Sequence, residues 1–519
     1  MTSDHAEDDV DSEMSSLKKL LHGASVGFVL SFVAYVVMFF VKLFAARLLG
    51  SEQFGLFTFA QTFLSLGGMI VGLGIYGGVS RYIPYYKERG EHSLLRGYLR
   101  FVFTWPLVFS LVIGAIYVVF ADSITAFFDY PSSFKTALMI IGFAMPFRAL
   151  SKTFINILAA EKQILLEQTL KNLANLVLLA GIGVIAFYDV SVLGLVVALG
   201  LSLVIISVLG AVFYFLYVNY GLSGRSRGEH EEWLRFSLPL FFSGMLSFVV
   251  SWSDNIVIGK FLDPQSLGIY SIAFSMAAFI NFFQSSFGTI FTPIISESHA
   301  NEDHDKISFL FTKSAGWIFG FTLPFFLIMA LYSEEILRLF YGAEYTAGFI
   351  PLIIIATGFV INVSLGLNRQ ILTVHKETNF LFWNDVFIAG LNLGLNVWFI
   401  SMWGIIGAAV ATSLSMVLDN LIVHVKARRY ETLGFDYWYM TKFVLAGLPA
   451  ALIGKAVFRL PLNDFVALGV SGGVYAVAYA VMLIALRTFD DEDVRILRTV
   501  EERLGVESRW LERFFEYIT

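Results

Sequence analysis

Ala46-Arg47-Leu48-Leu49-Gly50-Ser51-Glu52-Gln53-Phe54-Gly55-Leu56-Phe57-Thr58-Phe59-Ala60 returns further along the chain as Gly259-Lys260-Phe261-Leu262-Asp263-Pro264-Gln265-Ser266-Leu267-Gly268-Ile269-Tyr270-Ser271-Ile272-Ala273. The cation, the turn, the glycine and the alanine keep register at an offset of about 213 residues. Near the same offset Pro84 meets Pro293, Lys162 meets Lys376 and Gly194 meets Gly407, so the correspondence runs through whole halves. Two related lobes inside a membrane predict a machine that rocks about a central site.

That this duplication lies in a membrane follows from composition. The 519 residues are 57% hydrophobic and 15% charged, with a mean hydropathy of +0.73. Soluble domains carry about a quarter charged residues. Apolar runs of roughly 20 residues, long enough to cross a hydrocarbon core of about 30 Å, recur about fourteen times between residues 24 and 486. The first two are expected at 24–46 and 54–80, and the eighth at 267–292. Barrel strands are excluded because the segments are about twice the needed length and lack alternation. The predicted fold is therefore an all-α integral membrane bundle of about fourteen transmembrane helices: two pseudo-symmetric six-helix lobes plus a terminal helix pair.

The expected boundaries are an acidic arm (1–16), a first lobe with six spans (17–220), a linker (221–232), a second lobe with six spans (233–430), a terminal pair (438–487) and a tail (488–519). Gly221 to Gly228 reads as a flexible connection between lobes. In the tail, Val494, Leu497, Val500 and Leu504 stand at helical spacing with Arg495, Arg498 and Arg503 beside them; an amphipathic surface helix and a solvated helix both fit. About 28 of the 35 lysines and arginines fall on one side of the expected topology and about 7 on the other, which predicts cytoplasmic termini in a cell membrane. The arm lacks the basic, apolar and small-residue regions of a cleaved signal. With no cysteine there is neither a disulfide nor a thiolate metal site. Acidic patches at Asp8 to Glu13, Glu229 to Glu232 and Asp490 to Asp493 are of a kind that a halophile tolerates.

Asp254-Asn255-Ile256-Val257-Ile258-Gly259-Lys260-Phe261-Leu262, followed by Leu267-Gly268-Ile269-Tyr270-Ser271-Ile272-Ala273, resembles the seventh-span signature of polysaccharide exporters and Wzx-type oligosaccharide flippases. These belong to the multidrug/oligosaccharidyl-lipid/polysaccharide superfamily. Asn392-Leu393-Gly394-Leu395-Asn396 with Gly404-Ile405-Ile406-Gly407-Ala408-Ala409-Val410-Ala411-Thr412 resembles the same group's eleventh and twelfth spans. Ser401-Met402-Trp403 departs from the proline that commonly precedes this turn. The resemblance covers nearly the whole chain and implies six-span lobes, an inverted-V cavity and export of a lipid-linked glycan. It also implies that two spans beyond the twelve of drug exporters form a groove for a lipid tail.

Charged groups inside hydrocarbon are costly and usually face a cavity or a partner. Asp254 lies about 9 Å inside its span end; it reads either as a cavity partner for a cation or proton or as half of a structural salt bridge. Lys42 occupies the neighbouring register of the first span and either snorkels or meets Asp254 in a gate. Arg148 follows Pro146 in the fourth span. Its planar fork suits a phosphate, unless the span ends early and leaves it at the interface with Lys152. Asn255, Asn156, Asn281 and Asn362 are amides that either read sugar hydroxyls or hold helices together.

Gly72-x-Gly74-x-x-Gly77 mimics a dinucleotide fingerprint but lies in an apolar span with no preceding strand, so it reads as close helix packing. The sequon Asn362-Val363-Ser364 falls within the bilayer. No phosphate loop, His/Glu metal spacing or nucleophile elbow occurs, which predicts a non-enzyme without cofactor or metal. Energy would come from an H+ or Na+ gradient, the membrane potential or consumption of the delivered substrate. The leading expectation is a flippase for a polyprenyl- or dolichyl-linked oligosaccharide. It would work as a monomer in the bilayer beside glycan-assembly enzymes, with no nucleic acid. A cation-coupled drug exporter on the same scaffold and a membrane glycan polymerase or ligase are the alternatives; the latter needs a larger outer loop than the chain has.

Overall fold

The computed structural model describes residues 4–188, 190–221, 224–489 and 493, with side chains described from Val36 onward except at 290. Among the described residues every regular element is helical. The first lobe comprises α1 (Asp4–Gly72), α2 (Ile75–Glu88), α3 (His92–Val119), α4 (Ala121–Phe128), α5 (Ser132–Ala160), α6 (Ile164–Tyr188) and α7 (Val192–Phe213). The second comprises α8 (His230–Phe261), α9 (Pro264–Ala277), α10 (Asn281–Ala300), α11 (His304–Leu331), α12 (Ser333–Ile336), α13 (Phe349–Ser364), α14 (Asn368–Val374), α15 (Thr378–Trp403) and α16 (Ile405–Ala427). The terminal pair is α17 (Tyr437–Phe458) and α18 (Asp464–Ala485).

Thirteen helical stretches among the described residues are long and apolar enough to cross a bilayer. The first, Val36–Gly72, is broken at Gly50, where φ 75° and ψ 169° are non-helical, so it holds the end of the first expected span and the body of the second. The expectation of fourteen spans therefore stands, and the duplication is visible in the backbone. The second span breaks at Leu73 and Gly74 before α2, and its counterpart breaks at a 3-10 turn over Ala278–Ile280 before α10. Each was expected as one continuous helix. Lys162 and Lys376, the repeat pair, both have positive φ, 58° and 61°.

Local chemistry explains several helix starts. The Asp263 side chain accepts from the Ser266 amide at 2.7 Å, and Pro264 fills the first turn, where its missing N–H costs nothing. Asp303 caps α11 through the Lys306 amide at 3.0 Å, and Asp436 caps α17 through the Tyr439 amide at 2.8 Å. Prolines inside α2, α3, α5, α8, α10, α11 and α17 are tolerated as in other membrane helices, because neighbouring helices re-satisfy the freed carbonyls.

The terminal pair lies on α11. Tyr479 donates to the Gly320 carbonyl at 3.0 Å, and Tyr332 and Ser471 share a hydrogen bond of 2.6 Å. Between this pair and the seam of the two lobes lies an apolar cavity of about 250 Å³, reached by Phe39, Met276, Tyr332, Leu468 and Gly472. The tail expected as an amphipathic helix lies outside the described residues except at its start, where Trp317 donates to the buried Asp493 at 2.8 Å. The linker reading needs correction over Gly224 to Arg227. The Arg227 amide donates to the Ser93 carbonyl at 3.0 Å, Arg96 to the Arg225 carbonyl at 3.1 Å and Arg100 to Ser226 at 2.7 Å, so α3 fastens this stretch to the first lobe.

Candidate functional site

The lobes meet at the end of the bundle marked by Gly50 and Leu262, and they meet as repeat-equivalent pairs. A Cβ on Gly55 would lie 1.7 Å from the Pro264 carbonyl oxygen, and one on Gly268 would lie 2.1 Å from that of Ser51. Only glycine permits this approach, and the offset relating Gly55 to Gly268 also relates Ser51 to Pro264. Lys42 donates to Ser275 at 2.5 Å, and its counterpart Asn255 donates to Thr62 at 3.1 Å. Arg47 donates to the Phe340 carbonyl at 3.1 Å, and its counterpart Lys260 donates to that of Phe127. Three contacts, each made twice, thus define a pseudo-two-fold joint. Ser51 to Glu344 at 2.6 Å and Tyr345 to the Ala46 carbonyl at 3.1 Å complete it on one side. Each hydrogen bond contributes about 0.5–1.5 kcal/mol net, so the joint is specific but breakable.

At the opposite end, where the linker lies, α8 crosses between lobes. Its beginning joins the first lobe: Trp233 is fully buried and donates to Tyr86 at 2.9 Å, and Gly74 sits under the Ser237 carbonyl. The glycine-rich stretch is indeed a packing surface, with Gly74 (φ 71°) also forming the break before α2. The far end of α8 joins the second lobe through Ser253, which donates to Asn392 at 2.7 Å.

Asp254 belongs to that second-lobe interior. Its carboxylate is 4% exposed and accepts from Thr412 at 2.6 Å, Asn396 at 2.6 Å and Tyr270. No salt bridge to it is found among the described residues; three neutral donors satisfy its oxygens. The gate expected between Lys42 and Asp254 is not formed, since Lys42 spends its hydrogen bond on Ser275 across the joint. Asn362 is likewise internal to the second lobe, accepting from Asn420 at 2.7 Å.

Arg148 lies mid-span. α5 continues to Ala160, twelve residues further (160 − 148), or about 18 Å along the axis, so the helix does not end at Arg148. Its Nε is buried without a hydrogen-bond partner, facing Gly68 of α1, where an added Cβ would be 3.5 Å away. Lys152 stands one turn on, within reach of the like charges of Arg148 and Lys171, and Asn156 one turn further donates to the Lys152 carbonyl at 2.8 Å. Arg148, Lys152 and Asn156 therefore share one helix face. In the second lobe Asn281, Ser285, Thr289 and Ser296 form an exposed polar stripe on α10, the hydroxyls donating back to carbonyls of their own helix. A polar stripe of this length on a spanning helix suits an aqueous chamber rather than lipid.

Two networks escaped the sequence reading. Arg369 donates to Asp385 and, at 3.4 Å, to Asp419, which also accepts from Asn384. Asn368 donates to Asn420 at 2.9 Å and lies 2.9 Å from His424. The available signal was Asp385 and Asp419, carboxylates inside apolar runs.

Residues 44–350 match the family described as polysaccharide biosynthesis protein. The chain belongs to that family. The probable low-salt glycan biosynthesis flippase Agl15 of Haloferax volcanii is 24% identical over 397 residues, covering 76% of this chain and 80% of its own length. Among solved structures, lipid II flippase MurJ in an inward closed conformation superposes with a TM-score of 0.68 at 15% identity, covering 88% of this chain and 97% of that one. An inward-facing multidrug resistance MATE transporter of the MOP superfamily reaches 0.62 at 14% identity, covering 76% and 93%. The family member described here is a multi-pass membrane protein with the fold of that superfamily.

Proposed function

We propose that the protein is a flippase that moves a lipid-linked glycan from the cytoplasmic leaflet to the opposite one by alternating access. The observation that carries this reading is Arg148: a guanidinium in the middle of α5 with a buried, unpartnered Nε, beside Lys152 and with no carboxylate paired to it among the described residues. A cation left in that condition in hydrocarbon is costly, and a phosphate or pyrophosphate headgroup supplies the missing acceptors in the bidentate geometry that arginine favours. The polar stripe of α10 offers hydroxyls and an amide to sugars. The apolar cavity beside α18 gives part of a polyprenyl or dolichyl tail a place outside the polar chamber. The linker end faces the cytoplasm by the distribution of lysine and arginine, and the joint closes the other end. Separation of the joint, with closure at the linker end, then exposes the headgroup to the far side.

The family's assignment to polysaccharide biosynthesis and the flippases among its relatives support this reading over the multidrug one. A drug exporter wants a free carboxylate for its cation, whereas Asp254, Asp385 and Asp419 are each already engaged. Headgroup binding coupled to an H+ or Na+ gradient, or to consumption of the delivered lipid, provides the drive. The test is reconstitution in liposomes with a fluorescent lipid-linked oligosaccharide, scored for leaflet exchange with and without ion gradients. Arg148→Gln is expected to slow exchange by about 10-fold or more, the loss of a charge-assisted hydrogen bond. Arg148→Lys, which keeps charge without the fork, falls between. Exchange by Arg148→Gln at the wild-type rate would rule out this headgroup site.

A further inference from the structure

At the linker end the two lobes are clamped in equivalent places by different chemistry. In the first lobe Lys87, in the last turn of α2, pairs with Glu161, the residue that ends α5, at 2.6 Å, and Tyr220 donates to the same carboxylate at 2.6 Å. Close to the repeat offset, 212, 214 and 211 residues on from Lys87, Glu161 and Tyr220, the second lobe has His299 in the last turn of α10, His375 as the residue that ends α14, and Glu431 just after α16. His304, the first residue of α11, completes the group. Thus the position nearest to that of Lys87 holds an imidazole in the second lobe, where Lys426 and Tyr430 pair with Glu377 and imidazoles gather around the neighbouring Glu431.

The hydrogen bonding in this group lacks a cation. His375 Nδ1 lies 3.0 Å from the Ile371 carbonyl, which can only accept, so Nδ1 carries a proton, and in the neutral ring Nε2 presents its lone pair. That lone pair faces a Glu431 oxygen at 3.1 Å. Two acceptors do not sit that close unless a proton or a metal ion joins them. His304 Nδ1 stands 3.0 Å from the other oxygen of Glu431, whose side chain is fully buried. The His299 ring stacks 4.3 Å from that of His375, and its Nδ1 is buried with no partner. One ligand atom each from His299, His375 and Glu431 lie within 4.8 Å of one another. Around a tetrahedral zinc ion with bonds of about 2.1 Å, ligand atoms stand roughly 3.4 Å apart, so closure needs only small side-chain movements.

We infer that His299, His375 and Glu431, with His304 holding the carboxylate of Glu431, form a binding site for a zinc-class divalent cation, which locks the linker-end termini of α10, α11, α14 and α16 into one body. The donor set of imidazoles with one carboxylate, and no thiolate in the chain, selects zinc or its neighbours over calcium, magnesium or copper(I). His375 is oriented as metal-bound histidines usually are, its second nitrogen donating to a backbone carbonyl. The buried Glu431 would supply the charged ligand. The sequence offers no metal spacing for this set because its three ligands come from three separate segments.

The experiment uses the full chain in detergent, its affinity tag removed, stripped with chelator and dialysed against zinc chloride, with bound metal counted by mass spectrometry. About one zinc per chain is expected. His299→Ala and Glu431→Gln should each weaken retention by ~10-fold or more, while His230→Ala, at the same end but outside the cluster, retains it. His299→Ala is the decisive variant because its Nδ1 makes no hydrogen bond, so without metal its thermal unfolding should match that of the wild type. Cobalt(II) in place of zinc should give tetrahedral visible absorption that the same variants lose. Substoichiometric zinc, or equal retention by His299→Ala and Glu431→Gln, would overturn the site and leave a proton as the cation shared by His375 and Glu431.

Discussion

Val41 and Asp254 occupy the same repeat position, and this register explains where the charges went. Both are buried, at 1% and 4% exposure, facing the interiors of their own lobes. The next residues, Lys42 and Asn255, lie about 100° further round the helix and reach across the joint. Sequence reasoning singled out Lys42, Asp254 and Asn255, but one step of helical phase separated a lobe-internal group from an interfacial one, and apolar periodicity is silent on phase when a helix is buried on several sides. The role of Asp254 follows from its donors. Asp254→Asn keeps shape but presents an amide to groups that already donate, so at least one buried donor loses its acceptor, at a cost of about 1–3 kcal/mol. A lowered unfolding midpoint in detergent is expected, with the rate of lipid exchange per folded molecule unchanged. Loss of exchange in a variant that remains as stable as the wild type would return Asp254 to ion coupling.

At the scale of helices, span lengths were legible because the bilayer sets them, whereas the breaks were not. The second and eighth spans break at Leu73–Gly74 and at Ala278–Ile280, where no proline stands. The first break is a tertiary effect: Gly74 lies under the carbonyl of Ser237, and α8 dictates that approach. A glycine in an apolar run signals close packing without naming the partner. Gly268 of α9 shows what such contacts control. Gly268→Ala places a methyl group 2.1 Å from the Ser51 carbonyl of α1, which no rotamer relieves because the obstacle is backbone. The joint is expected to loosen and shift the population toward an open Gly50 end. As the chain has no cysteine, Ser275→Cys gives a clean reporter: a membrane-impermeant maleimide should label it faster in the Gly268→Ala background. Unchanged labelling would mean that α1 and α9 yield elsewhere.

For the molecule as a whole, duplication was readable from the Arg47 and Lys260 stretches, and its consequence is that one joint is built from two copies of each contact. Such symmetry makes the closed end cooperative, since Lys42–Ser275 and Asn255–Thr62 break together when the lobes separate. Arg225 to Arg227 have little freedom of their own, because they are tied to α3; rocking is then expected to bend through α8, whose two ends belong to different lobes. Transport then requires the joint to open. Thr62 and Asn255, 3.1 Å apart at their polar atoms, replaced together by cysteines, bring two thiols within reach of a short bifunctional methanethiosulfonate in a chain that has no other thiol. Joined, the protein should bind lipid-linked glycan from the linker side yet release none to the far leaflet, and reduction should restore exchange. Each single-cysteine variant treated in the same way should remain active, which separates locking from mere substitution. If the joined protein exchanges lipid at the rate of the reduced one, the Gly50 end is not the exit, and the headgroup must pass between the linker-end helices instead.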